Sequence, residues 1–293
     1  MAFPNIQRIL RMGSAWSALK LILIVGASSR PKYKAIFLAL LWPFIRKGEV
    51  HIRYRCYERF NRSTLRISDL DADCLSTREL AVRDIYRLER NFQPDLVIDG
   101  GGNIGLFTLR ASASLSDAMR TSTRFVICEP LPRNIEQINK HLQMNKISAT
   151  VLPYCLGGTC RSIPFYCREA HASSFDADAP YKSVIEIPVV LLQKAIEGIS
   201  AQRILIKLDI EGMEIETLAA YVPDEKRAVY IVGELHHRFI NAPLMEEIFR
   251  AHGWFLELFD LDQSACSFRA CSPLAAPMLN WTKDFLPHTE ASV

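Results

Sequence analysis

From residue 94 to residue 260 the apolar positions come in short unbroken runs, separated by stretches that repeat with a helical period. Leu96 to Ile98, Phe125 to Cys128, Thr150 to Tyr154, Ile204 to Leu208, Ala228 to Val232 and Trp254 to Phe259 predict strands, because strands buried on both faces read as continuous apolar segments. Ile104 to Ser114, Asn134 to Met144, Met213 to Ala220 and Leu244 to His252 predict helices between them. This alternation builds a mostly parallel sheet with helices on both sides, a doubly wound α/β fold. Residues 160 to 200 break the rhythm and are expected to form an insertion over the sheet edge.

Upstream, residues 5 to 24 and 32 to 46 read as helices. Val50, Ile52, Tyr54 and Cys56 then alternate with charged residues like a half-buried strand, and Thr64 to Ile67 predicts another, shorter one. Ser76 to Asn91 predicts a helix, with Ser76 as its cap and Glu79 completing a capping box. The expected organisation is a mainly helical extension over residues 1–93, an α/β domain over 94–271 and a tail over 272–293.

Composition narrows the class. The chain has 293 residues, 49% hydrophobic and 23% charged, which excludes disorder, and no internal period suggests a repeat protein. Residues 1–70 hold 13 Lys/Arg against Glu49, Glu58 and Asp69, so they carry +10 while the remainder carries −7. Such a basic end meets an anionic partner or complements the rest of the protein. The apolar runs Leu21 to Ala27 and Ala35 to Leu41 are too short to span a bilayer, and Met1 to Arg11 lacks the ordered sections of a secretory signal, so a cytoplasmic location is expected. With Trp16, Trp42 and Phe44, residues 1–47 suit peripheral membrane association; the other reading is a cover over an active site. Eight cysteines include no C-x-x-C pair, so neither a zinc site nor any other metal site is expected.

The segment DLVIDGGGNIGLFTL ends a strand at Asp99 and leads through Gly100, Gly101, Gly102, Asn103 and Gly105 into a helix. It satisfies G-x-G-x-x-G, the pattern of a dinucleotide loop. A carboxylate just before the first glycine would oppose a pyrophosphate and would suit a cation, so Asp99 favours S-adenosylmethionine, which carries a sulfonium and an ammonium. Glu129 ends the next strand in FVICEP, where a carboxylate can accept both ribose hydroxyls of an adenosyl group. IKLDIEGMEIETL places Lys207, Asp209 and Glu211 at a third strand tip, the edge where open α/β sheets bind ligands.

In their order, DGGGNIG, CEPLPRNIEQINKHLQMN and KLDIEGMEIETL resemble the FkbM-type S-adenosylmethionine-dependent methyltransferases, whose usual pattern is D-V-G-A-N-I-G, E-P with an Asn-containing helix, and K-I-D-V-E-G-A-E. His171 to Phe175 and Gly233 to His237 look like the family's weaker segments. The resemblance covers residues 94 to 260. It implies a class I methyltransferase (Rossmann-like) fold, a mostly parallel seven-stranded sheet with one antiparallel strand, for which Ala265 to Ala270 is the candidate. Two departures stand out. Gly100 and Gly101 replace the usual Val and Ala, a change expected only to loosen the loop, and Leu192-Gln193 stands where an acidic pair is usual.

Methyl transfer from a sulfonium asks the protein for alignment and for a group to remove the acceptor's proton. The candidates are Asp209, His236 and His237, with a histidine slightly favoured because it titrates near neutrality. Asp209 has alternative roles at the donor's ammonium or at a divalent ion, with Glu211 and Glu234 as co-ligands. His171, Ser173 and Ser174 are candidate acceptor contacts. The expected acceptor is a small molecule or glycan hydroxyl, of neutral or anionic character; nucleic acid is not expected, since no D-P-P-Y-like tetrapeptide is present. An NAD-dependent oxidoreductase and a non-catalytic scaffold are the competing readings.

Overall fold

In the computed structural model, residues 49–167, 181, 183–236, 242–260 and 265–281 are described. The predicted helices over 5–24 and 32–46 lie outside them. No described helix is long and apolar enough to cross a membrane.

The chain enters through an antiparallel hairpin, β1 (Glu49–Cys56) and β2 (Arg59–Arg66). Helix α1 (Leu70–Thr77) follows and continues into a π-helical turn, Arg78–Arg83, that stops at Asp84 with φ +54°. The helix therefore starts six residues before the predicted capping box and ends eight residues early. Ser76 lies in its last turn, where its hydroxyl accepts from Asn103 Nδ2 at 3.3 Å.

Next come β3 (Leu96–Gly100), α2 (Leu106–Ser114), α3 (Asp117–Ser122), β4 (Arg124–Cys128), α4 (Pro132–Asn145) and β5 (Thr150–Leu152). A small sheet of β6 (Cys155–Gly157), β7 (Arg161–Cys167) and β8 (Ser183–Leu191) leads through α5 (Leu192–Ile196) into β9 (Arg203–Leu208). Then α6 (Glu214–Ala220), β10 (Ala228–His236), α7 (Ala242–Ala251), β11 (Phe255–Phe259) and β12 (Ala265–Cys271) complete the main sheet. Its order is β11-β12-β10-β9-β3-β4-β5, and β12 runs antiparallel to both neighbours. This is the class I methyltransferase arrangement, and the antiparallel strand distinguishes it from an all-parallel dinucleotide fold.

The four central strands are buried on both faces because alternate residues serve different layers. Leu96, Ile98, Ile204, Ile206 and Ile231 pack one way; Val97, Leu205, Tyr230 and Val232 pack the other. The β6-β8-β7 sheet contributes Leu156, Phe165, Ile187 and Val189 to the first layer. The insertion thus covers a face of the sheet rather than its edge. The second layer is closed by Tyr86, Leu88 and Phe92 and by Ala275, Leu279 and Trp281. Residues 272–281 therefore pack on the domain through Ala275, Ala276, Leu279 and Trp281 rather than trailing from it: Trp281 is 6% exposed and its ring meets Tyr230 edge-on. The eight cysteines are all free thiols.

The hairpin is fastened to the domain by polar contacts. His141 on α4 is fully buried; its Nε2 accepts from the Thr64 amide at 2.9 Å and its Nδ1 lies 2.7 Å from the Ile104 carbonyl, an arrangement that fits the neutral ring that burial favours. Arg66 donates to both oxygens of Asp73 and, at 3.0 Å, to Asn134 Oδ1.

Candidate active site

The glycine loop turns at the tip of β3 and is held from three sides. The amides of Gly101 and Gly102 both donate to the Cys128 carbonyl at 3.0 Å. Lys207, on the neighbouring strand β9, donates to the Gly101 carbonyl at 2.6 Å. Glu129 Oε2 accepts from the Asn103 amide at 2.8 Å, while Oε1 accepts from the Leu131 amide at 3.0 Å and Asn134 Nδ2 at 3.2 Å.

Aligned with D-V-G-A-N-I-G, the replaced residues are Gly100 and Gly102, and Gly101 is the pattern's own glycine. Far from loosening the loop, these glycines close it. Gly101 has φ +76°, and a Cβ there would sit 1.9 Å from the Asp209 carbonyl oxygen. A Cβ at Gly102 would meet the Ile127 side chain at 2.4 Å. At Leu192-Gln193, Leu192 is fully buried and Gln193 donates to the Ala220 carbonyl, so this pair belongs to the packing of α5.

The acids at the strand tips divide by position. Asp99 is fully buried beneath the loop; Oδ2 accepts from the Thr108 hydroxyl, and Oδ1, without a hydrogen bond, lies 3.6 Å from Lys207 Nζ. It reaches the site through Lys207 and does not line the cavity, contrary to the direct role expected of it. Glu129 is also more occupied than expected. Three of a carboxylate's roughly four acceptor directions are used, which leaves room for one ribose hydroxyl rather than two. Burial pushes its carboxyl up to about 7.

Asp209 occupies the tip of β9. Oδ2 accepts from the Tyr86 hydroxyl at 2.8 Å and lies 3.5 Å from Lys207 Nζ; Oδ1 lies 3.6 Å from His236 Nε2. Burial pushes the Asp209 carboxyl up, but Lys207, His236 and the Tyr86 hydroxyl outweigh it and hold the group below its usual value. A cavity of about 50 Å³ opens beside it, with Ser76, Glu79, Tyr86, Asn103 and Glu234 among its walls. Burial and the Asp209 charge raise Glu79 and Glu234 to about 7 each.

His236, at the end of β10, hydrogen-bonds Glu214 Oε1 through Nδ1 at 3.2 Å, and its Nε2 is 3.6 Å from Glu211 as well as from Asp209. Burial opposes its charge, yet the Glu214 bond with Asp209 and Glu211 pushes the imidazole to about 10. An imidazolium at neutral pH has no free lone pair to take a proton, which argues against the histidine base expected from the sequence. Glu214 also accepts from the amides of Ile210 and Gly212, so it fastens the β9–α6 turn rather than capping it in solvent. Ligand atoms of Asp209, Glu214 and His236 lie within 4.8 Å of one another. His237, His171, Ser173 and Ser174 lie outside the described residues.

Tyr86 and Glu79 were not among the sequence candidates. Both precede the first recognisable motif, and the only signal was the S-x-x-E spacing at Ser76, which reads as a helix cap.

The residues present fit an adenosyl donor: the loop packs so closely on Asp209 and Ile127 that only glycine is accommodated at 101 and 102, and Glu129 beside it keeps an acceptor direction for a ribose hydroxyl. The sequence model of the methyltransferase FkbM domain matches residues 99–259, more than half of the chain. No curated protein matches. Among solved structures, the chain is similar to precorrin-6y C5,15-methyltransferase from Geobacter metallireducens GS-15 (11% identity, 64% of this chain and 84% of that one, TM-score 0.36). It is also similar to ribosomal protein L11 methylase from Lactobacillus delbrueckii subsp. bulgaricus (9% identity, 69% and 79%, TM-score 0.36). A third is the Pyrococcus abyssi tRNA (uracil-54, C5)-methyltransferase in complex with S-adenosyl-L-homocysteine (8% identity, 76% and 44%, TM-score 0.38). None of the three carries a substrate or a residue role to this chain. The family match, with the sheet order and the glycine loop, makes this chain a member of the FkbM methyltransferase family whose methyl donor is S-adenosylmethionine.

Proposed function

We propose that the protein methylates a hydroxyl group of a small molecule, natural product or glycan. The observation that carries the reading is Asp209: an ionised carboxylate beside the cavity, with Oδ2 fixed by Tyr86 and Lys207. A hydroxyl is a poor nucleophile at neutral pH, and a carboxylate within hydrogen-bond reach can orient it and take its proton as the new bond forms. S-adenosylmethionine supplies the methyl group already activated on its sulfonium. Asp99, Gly100, Gly101, Gly102, Asn103, Gly105, Glu129 and Asp209 would hold it, Asp99 acting through Lys207. His236, charged and held among Asp209, Glu211 and Glu214, steadies the carboxylate without removing the proton.

A nitrogen acceptor is the second reading. Glu79 and Glu234 face the same cavity as Asp209, and such an acidic lining attracts an amine, which Asp209 would deprotonate before its nitrogen attacks the methyl group. Incubating the protein and its Asp209→Asn variant with methyl-labelled donor and paired hydroxyl and amine acceptors separates the two. Label in a methyl ether, lost in the variant, supports the first reading; label on nitrogen alone overturns it. Calorimetric binding of S-adenosylhomocysteine, with none of NAD, is expected in both cases.

A further inference from the structure

The outward face of the β1-β2 hairpin carries positive charge that forms no ion pair among the described residues. His51, Arg53 and Arg55 alternate along β1 and are exposed; the strand's intervening residues Tyr54 and Cys56 are buried against Ile104 of the glycine loop and Leu106 and Leu109 of the helix that follows it. In register, Arg53 stands opposite Arg62 and Arg55 opposite Phe60, both partners also exposed. Like charges placed directly across two strands repel, so this pairing costs stability unless something anionic covers it. The other arginines of the region are partnered: Arg59 with Asp117, Arg66 with Asp73, Arg90 with Glu58. Among the described residues, Arg53, Arg55 and Arg62 make no ion pair.

Phe60 adds an apolar element. It is 49% exposed, and the Arg53 guanidinium lies over its ring at 4.1 Å from the centroid. The chain leading into the hairpin has the same character: residues 1–48 contain eight Lys/Arg and no Asp or Glu, along with Trp16, Trp42 and Phe44.

We infer that the exposed face of this hairpin, through Arg53, Arg55, Arg62 and Phe60, docks on the anionic headgroups of a phospholipid surface. The charge is complementary to such a surface, and an aromatic ring beneath a guanidinium suits the headgroup level, where apolar and charged groups are accommodated together. Single-stranded nucleic acid fits the face less well. It is bound by successive stacking platforms, and this face exposes one aromatic ring. The docking face lies on the back of the glycine-loop helix, so the hairpin would hold the catalytic domain near the membrane without using any residue of the site.

The test is co-sedimentation of the full chain with vesicles of phosphatidylglycerol and phosphatidylcholine, and with phosphatidylcholine alone. A combined Arg53→Gln, Arg55→Gln, Arg62→Gln variant and a Phe60→Ser variant are run beside it. A melting temperature no lower than the parent's, with unchanged S-adenosylhomocysteine affinity, establishes that the variants are folded. Binding to the anionic vesicles only, weakened by salt and by about tenfold or more in the arginine variant, is the expected result. Absence of binding to anionic vesicles overturns the inference. So does undiminished binding by the arginine variant, which would move the contact to residues 1–48. Tighter binding to single-stranded RNA than to vesicles, with the same arginine dependence, also overturns it, in favour of a nucleic-acid partner.

Discussion

The Tyr86 hydroxyl donates to Oδ2 of Asp209 at 2.8 Å, joining residues 123 positions apart and reaching into the site from outside the 99–259 family match. Tyr86 is 1% exposed, packed edge-on against Phe107, and burial keeps its hydroxyl protonated, so it acts only as a donor to the carboxylate. It thereby leaves Oδ1 as the oxygen of Asp209 that would meet the acceptor in the proposed reaction.

Tyr86→Phe removes that bond with little change of shape. A hydrogen bond to a charged group is worth about 1.5 to 3 kcal/mol, so turnover should fall about tenfold or more. Donor affinity should change far less, because Lys207 still holds the glycine loop. The acid limb of the pH–rate profile should move to higher pH, since the variant carboxylate has lost one group that favours its ionised form. Unchanged turnover and an unmoved acid limb would remove Tyr86 from the site.

How much of this was readable beforehand depended on what the chain encodes locally. The parallel strands of the main sheet were legible because a sheet buried on both sides needs unbroken apolar runs, and the tip acids Asp99, Glu129 and Asp209 followed from where those runs stop; the antiparallel strand at Ala265 followed only from the family resemblance. Tyr86 was not legible, since its role exists only through a contact across the fold. Ser76 and Glu79 were misread for a related reason: their spacing imitates a capping box, while the actual helix starts at Leu70 and ends in a π-turn that places both residues on the cavity. Trp281 looked like tail because the short apolar stretch before it, interrupted by Pro273 and Pro277, has no period to reveal what it packs on.

Gly101→Ala tests the loop. The new Cβ would collide with the Asp209 backbone carbonyl at a φ of +76°, so two strand tips would have to separate. A loss of about 3 kcal/mol or more is expected, along with donor binding. Gly105→Ala is the comparison: φ is +81°, but the nearest atom to the new Cβ is 3.4 Å away, so only backbone strain of about 1 to 2 kcal/mol is added. Thermal unfolding and calorimetry with S-adenosylhomocysteine read both, and equal effects would show that contact with Asp209 is immaterial.

Glu129→Gln keeps the shape of the side chain but places an amide donor against one of the backbone amides of Asn103 and Leu131. A buried donor facing a donor costs about 1 to 3 kcal/mol, and Asn103 should lose its fixed position. S-adenosylhomocysteine affinity should fall about tenfold. Retained affinity would mean that the loop keeps its form without this carboxylate.

His236 sets the pH dependence of stability. Its imidazole is raised from 6.5 to about 10, so the folded state binds this proton more tightly than the unfolded chain does. The stabilisation is fully present below pH 6.5 and is lost as pH rises through 10. Glu79 and Glu234, raised from 4.5 to about 7, and Glu211, raised to about 8, act in the same direction at lower pH, because ionising them costs more in the folded state. Asp209, held below its usual value, acts in the opposite direction and loses its contribution only at acid pH. Melting temperature should therefore be highest in mildly acid buffer and decline toward pH 10. His236→Gln should melt lower than the parent at pH 7, with the gap closing as pH rises through 10, and parent turnover should show no histidine inflection near 6.5. A gap that stays constant from pH 7 to the alkaline end would mean that the imidazole is neutral throughout, and would return His236 to the role of proton acceptor.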